Sequence, residues 1–214
     1  MSEGQRRPHR PARYADLTAL IDAAGGDSPR SRAEVAAAAA QTLLAAAAEG
    51  ERERFVTLAD AVGIDTLAEL WRECDPVSLP GALWVLYLLR QWCRSDPDEV
   101  ARLWRDGEPY EAPDAVVAGA GMDPDSEAML RLADSILGSA YGGDFAIALD
   151  RAAAFFRVIA AGRREGRPVT DGASDVDSPD GPDSPDSPDL APRNDRVARD
   201  LAAAAAAWRA GTLH

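Results

Sequence analysis

Apolar residues recur at helical spacing along most of this chain. One set at i, i+3, i+4 and i+7, which a helix places on a single face, consists of Leu67, Leu70, Trp71 and Cys74. The stretch from Leu79 to about Arg94 is apolar on every side at its centre, which is typical of a deeply buried helix. We therefore expect this stretch to form the central helix of the core. No segment sustains the alternation of a strand, so the pattern predicts an all-α protein.

Helix-start signals divide the pattern into several helices. The clearest is Asp96-Pro97-Asp98-Glu99, which combines an N-cap acid, proline at the first helical position and an acid at the third. Other predicted helix starts lie at Ser31, Asp65, Ser78, Asp123 and Asp144. Because capping accounts for the acids at 96–99 and 123–125, we interpret both clusters as structural and not as metal ligands.

The chain divides into a tail, a domain, a linker and a final helix. Residues 1–13 are predicted to be a basic flexible tail, and residues 14–165 are predicted to fold as a multi-helix bundle. Residues 166–192 repeat Ser-Pro-Asp, carry seven Asp and have little to bury, which predicts a disordered acidic linker. Residues 193–214 are predicted to form a tethered, alanine-rich C-terminal helix.

The chain resembles itself at an offset of 33 residues. The segment that begins at Asp65 aligns with the one that begins at Asp98, and eight of 19 positions are identical, including Trp71 and Trp104. A period of this length is typical of stacked helix pairs, although such arrays usually need three units. Stacked helix pairs are therefore an alternative to a simple bundle, and coincidence among capped helices is the other explanation.

The net charge of -13 is concentrated in the predicted domain, where residues 14–165 carry 14 Arg against 26 acids. Such a surface repels phosphate backbones, so nucleic-acid binding is disfavoured. All 23 basic side chains are arginines, which is typical of a GC-rich bacterial genome. The lack of lysine also excludes a Schiff-base lysine and a phosphate-loop lysine.

The sequence favours a cytoplasmic location. Apolar runs reach eight residues, as at 82–89, whereas about 20 are needed to cross a bilayer. The apolar stretch after the basic tail is too short for the core of a signal peptide. Cys74 and Cys93, the only cysteines, lack CxxC spacing and are interpreted as free thiols.

Familiar catalytic arrangements are missing. His9 and His214 are the only histidines and both lie in the predicted tails, so no Ser-His-Asp or Cys-His arrangement is expected inside the domain. Neither a glycine-rich dinucleotide motif nor a phosphate loop occurs. We therefore expect no catalytic residue, no cofactor and no metal site. One kind of enzyme stays an alternative: a metal-dependent enzyme whose metal ligands and catalytic groups are all carboxylates.

Two groups of residues are candidates for binding. The candidate partner-binding group, on the C-terminal helix, consists of Val197, Leu201, Trp208, Arg196 and Arg199. The candidate pocket consists of Trp84, Tyr87 and Trp92. We favour a non-catalytic module that binds another protein, without contact with a membrane and in an oligomeric state that the sequence does not indicate. The alternatives are a helical domain that senses a small molecule and the carboxylate-based enzyme.

Overall fold

The computed structural model describes residues 29–46, 63–121, 124–142, 144–165 and 190–214. Within these ranges it contains eight α-helices and no strand, which confirms the all-α prediction. The helices are α1 (Pro29–Ala46), α2 (Ile64–Trp71), α3 (Leu79–Ser95), α4 (Pro97–Gly107), α5 (Ala112–Ala118), α6 (Ser126–Ala140), α7 (Phe145–Glu165) and α8 (Leu190–Arg209). The predicted basic tail and residues 166–189 of the predicted linker lie outside the described ranges.

Helix α7 lies at the centre of the packing. It contacts α4, α5, α6 and α8, and 14 of its 21 residues are buried. Seven of the buried residues are alanines, and small side chains let neighbouring helices approach from several sides. Helix α3 packs mainly against α1, α2 and α6 and keeps one side partly exposed. The expectation that α3 is the central helix was wrong, because bulky side chains on its outer side remain accessible.

Helices α4 and α7 cross at two facing glycines. A Cβ atom added at Gly107 would lie 2.0 Å from the carbonyl oxygen of Val158, and one added at Gly162 would lie 1.9 Å from the carbonyl oxygen of Leu103. Only residues without a side chain allow two helix backbones to come this close. The central contact of the core therefore depends on a pair of glycines that are 55 positions apart in the sequence.

The two tryptophans aligned by the offset of 33 residues are both fully buried. Trp71 donates its indole N–H to the carbonyl oxygen of Ala36 (3.3 Å) and stacks on Tyr87, with ring centroids 6.1 Å apart. Trp104 packs against Phe155, with ring centroids 5.5 Å apart. The helices that follow them differ, since α3 has 17 residues and α5 has seven and packs on α7. The two aligned segments thus agree in their first helix, which is α2 or α4, and differ in their second helix, which is α3 or α5.

Several predicted helix starts are observed. The hydroxyl of Ser78 accepts a hydrogen bond from the Gly81 amide (3.2 Å) at the start of α3. The carboxylate of Asp144 accepts one from the Ile147 amide (3.1 Å) at the start of α7. Asp96 occupies the N-cap of α4, although its side chain makes no capping hydrogen bond. At Ser78 and Asp144, a side-chain cap therefore marks where the helix begins.

Other helix starts differ from the prediction by about two residues. Helix α1 begins at Pro29, before Ser31, since proline is well suited to a first helical position. Helix α2 follows Gly63, so Asp65 lies in its first turn. At α6 the cap is Asp125 and not Asp123, because its carboxylate accepts a hydrogen bond from the backbone amide three residues later (2.7 Å).

Helix α8 packs along α7 in the opposite direction. Ion pairs join the two ends of the contact: Arg164 with Asp195, and Arg209 with Asp150. Between them, small and apolar side chains of α8 are buried: Ala198, Leu201, Ala204 and Ala205. The helix begins at Leu190, so the last residues of the predicted linker belong to it. The C-terminal helix is therefore docked on its own chain.

Candidate functional site

The three residues of the predicted pocket differ in their surroundings. Tyr87 is 1% exposed, and its hydroxyl lies 2.7 Å from the hydroxyl of Tyr141. Burial raises the pKa of Tyr141, so this phenol stays neutral and the contact is a hydrogen bond within the core. Trp84 and Trp92 are half-buried at the surface. Tyr87 thus belongs to the core, while the two tryptophans are available for contact with a binding partner.

The outward side of α3 carries four apolar side chains that are not fully buried. Its residues, which we call the α3 outer face, are Trp84, Val85, Leu88 and Trp92. Their spacing of i, i+1, i+4 and i+8 places them on one side of the helix. Leu88, at the middle of this face, is 40% exposed, and the other three are half-buried against the core. Sequence reasoning identified the two tryptophans as candidates to line a ligand pocket together with Tyr87.

Positive charge lies at the C-terminal end of the α3 outer face. The guanidinium carbon of Arg163, in the last turn of α7, lies 5.4 Å from the centroid of the Trp92 ring. This distance is within the range of a cation–π interaction, which fixes both side chains. Arg94, in the last turn of α3, is exposed. An apolar surface with arginines at one end is suited to a partner that combines apolar and acidic side chains.

The residues of the predicted partner-binding group are divided between core and surface. Leu201 is 1% exposed and Val197 is half-buried, because both face the rest of the same chain. Trp208 is 37% exposed, and Arg196 and Arg199 are exposed on the outer side of α8. The apolar stripe of this helix is therefore used within the chain. Binding of a separate partner by the exposed residues stays a prediction.

A second site lies where α5, α6 and α7 meet, around a partly buried arginine of α7. The side chain of Arg151 donates from Nε to the carbonyl oxygen of Ala118 (3.0 Å), at the end of α5. It also donates from Nη1 to Ser139 Oγ (2.8 Å) and from Nη2 to Ser135 Oγ (3.1 Å), both on α6. Partial burial lowers the pKa of Arg151, because desolvation disfavours the charged form.

Arg151 lies at one side of an open groove with a volume of ≈ 340 Å³. Its other walls include Gly119, Ala128, Met129, Arg131 and Leu132. A neighbouring groove of ≈ 510 Å³ shares Ser135 and continues past Ser139 to Ile147. We call the first of these the Arg151 groove. Sequence reasoning missed it, since the only local signal is the spacing of two serines one turn apart on α6.

Neither a metal centre nor a membrane-spanning helix is found among the described residues. Within these ranges no group of three or more His, Cys, Asp or Glu side chains is placed to hold a metal ion. None of the helices just described is long and apolar enough to cross a bilayer. Comparisons of the chain with protein-family models, with curated proteins and with solved structures gave no match.

Proposed function

We propose that this protein is a non-catalytic, cytoplasmic interaction module that binds another protein through the α3 outer face. The observation that supports this proposal is the group of exposed Leu88 and half-buried Trp84, Val85 and Trp92 on a helix whose opposite side lies in the core. Contiguous apolar surfaces with polar rims mark interaction sites more often than chance exposure of single residues.

The residues of the α3 outer face are of types that contribute much binding energy per unit of buried area. Tryptophan is enriched among the residues that dominate protein interfaces, because one ring buries a large area with little loss of side-chain freedom. Trp84 and Trp92 are already held against the core, and Arg163 further fixes the Trp92 ring. A partner that covers Leu88 would meet a surface that is largely ordered before binding, which lowers the entropic cost of association.

The geometry points to a partner helix with an apolar stripe and acidic residues at one end. An exposed helix face of two to three turns matches the anchors of an amphipathic helix at i, i+3 or i+4, and i+7. The acidic residues would lie near Arg94 and Arg163. A second copy of this chain fits less well. Each copy carries a net charge of -13, and the mutual repulsion of two such chains opposes their association.

The proposal is tested by quantitative affinity capture with the full chain as bait and a matched pair of variants. Leu88→Glu places a charge at the centre of the α3 outer face and is expected to weaken capture of the partner at least about tenfold. Val116→Glu is the control, because Val116 is 78% exposed on α5. Capture that is equal for both variants contradicts the proposal. Sedimentation of the purified chain alone tests for self-association. If the purified chain sediments as a dimer and Leu88→Glu abolishes the dimer, the occupant of the face is a second copy of this chain.

A further inference from the structure

We propose that the Arg151 groove binds a small organic molecule through a carboxylate or phosphate group, held by the guanidinium of Arg151 and the hydroxyl of Ser135. This site is separate from the α3 outer face and does not depend on the proposed protein partner.

The charge of Arg151 is balanced differently from that of the arginines that form ion pairs. Among the described residues, seven arginines form ion pairs with Asp or Glu, as Arg90 does with Asp134. All four hydrogen bonds of Arg151 go to neutral oxygens of serine hydroxyls and backbone carbonyls. A partly buried cation with neutral partners keeps a field that attracts an anion, and a bound anion would offset the desolvation of the guanidinium.

Two residues that line the groove, Arg151 and Ser135, each keep a donor that is not used within the described residues. A guanidinium has five N–H groups, and the bonds of Arg151 use one N–H on Nη2, which leaves the second. The hydroxyl of Ser135 accepts that bond, and its own hydrogen makes no hydrogen bond with a described residue. Adjacent N–H and O–H donors match the two oxygens of a carboxylate or phosphate, and charge-assisted hydrogen bonds of this kind are the strong ones.

The groove has space for the rest of the molecule. Its volume of ≈ 340 Å³ lies within the usual range of ligand sites, which is about 300–1,000 Å³. Ala128, which is half-buried, supplies apolar surface at one wall for a hydrocarbon group. At the opposite wall, a Cβ atom on Gly119 would lie 3.1 Å from Nη2 of Arg151. Glycine at this position, with a positive φ of 89°, leaves the guanidinium accessible.

The test is a titration of the isotopically labelled full chain with benzoate, phenyl phosphate and neutral benzamide at constant ionic strength, followed by nuclear magnetic resonance. We expect the anions to shift the amide signals of Gly119, Leu132 and Ser135 with a dissociation constant at or below about 1 mM, and benzamide to bind at least about tenfold more weakly. Comparison of the two anions distinguishes a carboxylate site from a phosphate site. Equal binding of benzamide, or no shift by either anion, overturns the proposal.

Variants locate the site and separate it from the proposed function. Arg151→Gln is expected to weaken benzoate at least about tenfold, and Ser135→Ala, at an exposed position, at least about threefold. Arg105→Gln is the charge-matched control, since Arg105 is exposed on α4 and bonds to a backbone carbonyl. If Arg151→Gln does not fold, Ser135→Ala alone decides. Leu88→Glu is expected to leave benzoate binding unchanged, so failure of either proposal does not affect the other.

Discussion

The crossing of α4 and α7 allows a sharp prediction, because a single methyl group should separate the two helices. In Gly162→Ala, the new Cβ atom would start 1.9 Å from the carbonyl oxygen of Leu103, whereas real Cβ atoms essentially never come closer than 3.0 Å. The backbones must therefore move apart by about 1 Å, and no flexible side chain can give way instead. The buried contacts around the crossing, including those of Trp104 and Phe155, would loosen with this movement.

Two opposing terms determine the size of the effect. Replacement of glycine by alanine inside a helix stabilises it by roughly 0.5–1 kcal/mol, through the lower entropy of the unfolded chain. Overpacking of a well-packed core typically costs about 1–3 kcal/mol. The upper end applies here, because neither the new methyl group nor the carbonyl oxygen of Leu103 can move without its helix backbone. The free energy of unfolding should therefore fall by about 2 kcal/mol, which corresponds to a decrease in Tm of about 4–8 °C for a domain of this size.

The measurement is thermal and urea unfolding followed by circular dichroism, with Gly121→Ala as the control. A Cβ atom at Gly121 meets nothing within 4 Å, so this variant should be as stable as the original chain. Gly107→Ala should behave like Gly162→Ala. The double variant should lose less than the sum of the two, because one separation of the helices relieves both clashes. If Gly162→Ala is neutral or stabilising, the close approach of α4 and α7 is wrong.

Three further predictions concern the packing of other elements. Leu201→Ala should lower the free energy of unfolding by about 2–5 kcal/mol, because this side chain of α8 is buried in its own chain. An unchanged Tm would show that α8 does not dock there. Trp71→Ala and Trp104→Ala should each cost about 3–5 kcal/mol in urea unfolding, and a cost below about 1 kcal/mol at either would contradict its burial. Burial raises the pKa of Cys93 from 9.0 to about 12, so its thiol stays protonated in the native state. Its contribution to stability should be full below pH 9.0 and be lost toward pH 12, as urea unfolding of the chain and Cys93→Ala across this range would reveal.

Local signals in the sequence predicted the helices better than their arrangement. Ser78 and Asp144 mark helix starts because capping depends on residues within one turn. The burial of Leu67, Leu70 and Trp71 also follows from their spacing. By contrast, apolar spacing does not mark α5, because its seven residues are too few to establish a helical period.

The features that bring distant segments together could not be predicted. Gly107 and Gly162 are ordinary glycines in sequence, and only their position opposite each other gives them a role. Arg151 depends in the same way on the end of α5 and on two serines of α6. The hydrophobicity of α3 suggested a central helix, yet hydrophobicity alone does not distinguish a fully enclosed helix from one with an apolar outer face.

The most direct test of the proposed function is site-specific photo-crosslinking in the native cell, with a photoreactive phenylalanine analogue in place of Leu88 in the full chain. Because Leu88 is the most exposed residue of the α3 outer face, a bound partner would lie within reach of the probe. The same analogue in place of Val116, on α5, is the matched control. The account predicts crosslinking to one partner protein from position 88 and not from position 116. The account is contradicted if position 88 gives no crosslink, or if positions 88 and 116 give the same crosslinks.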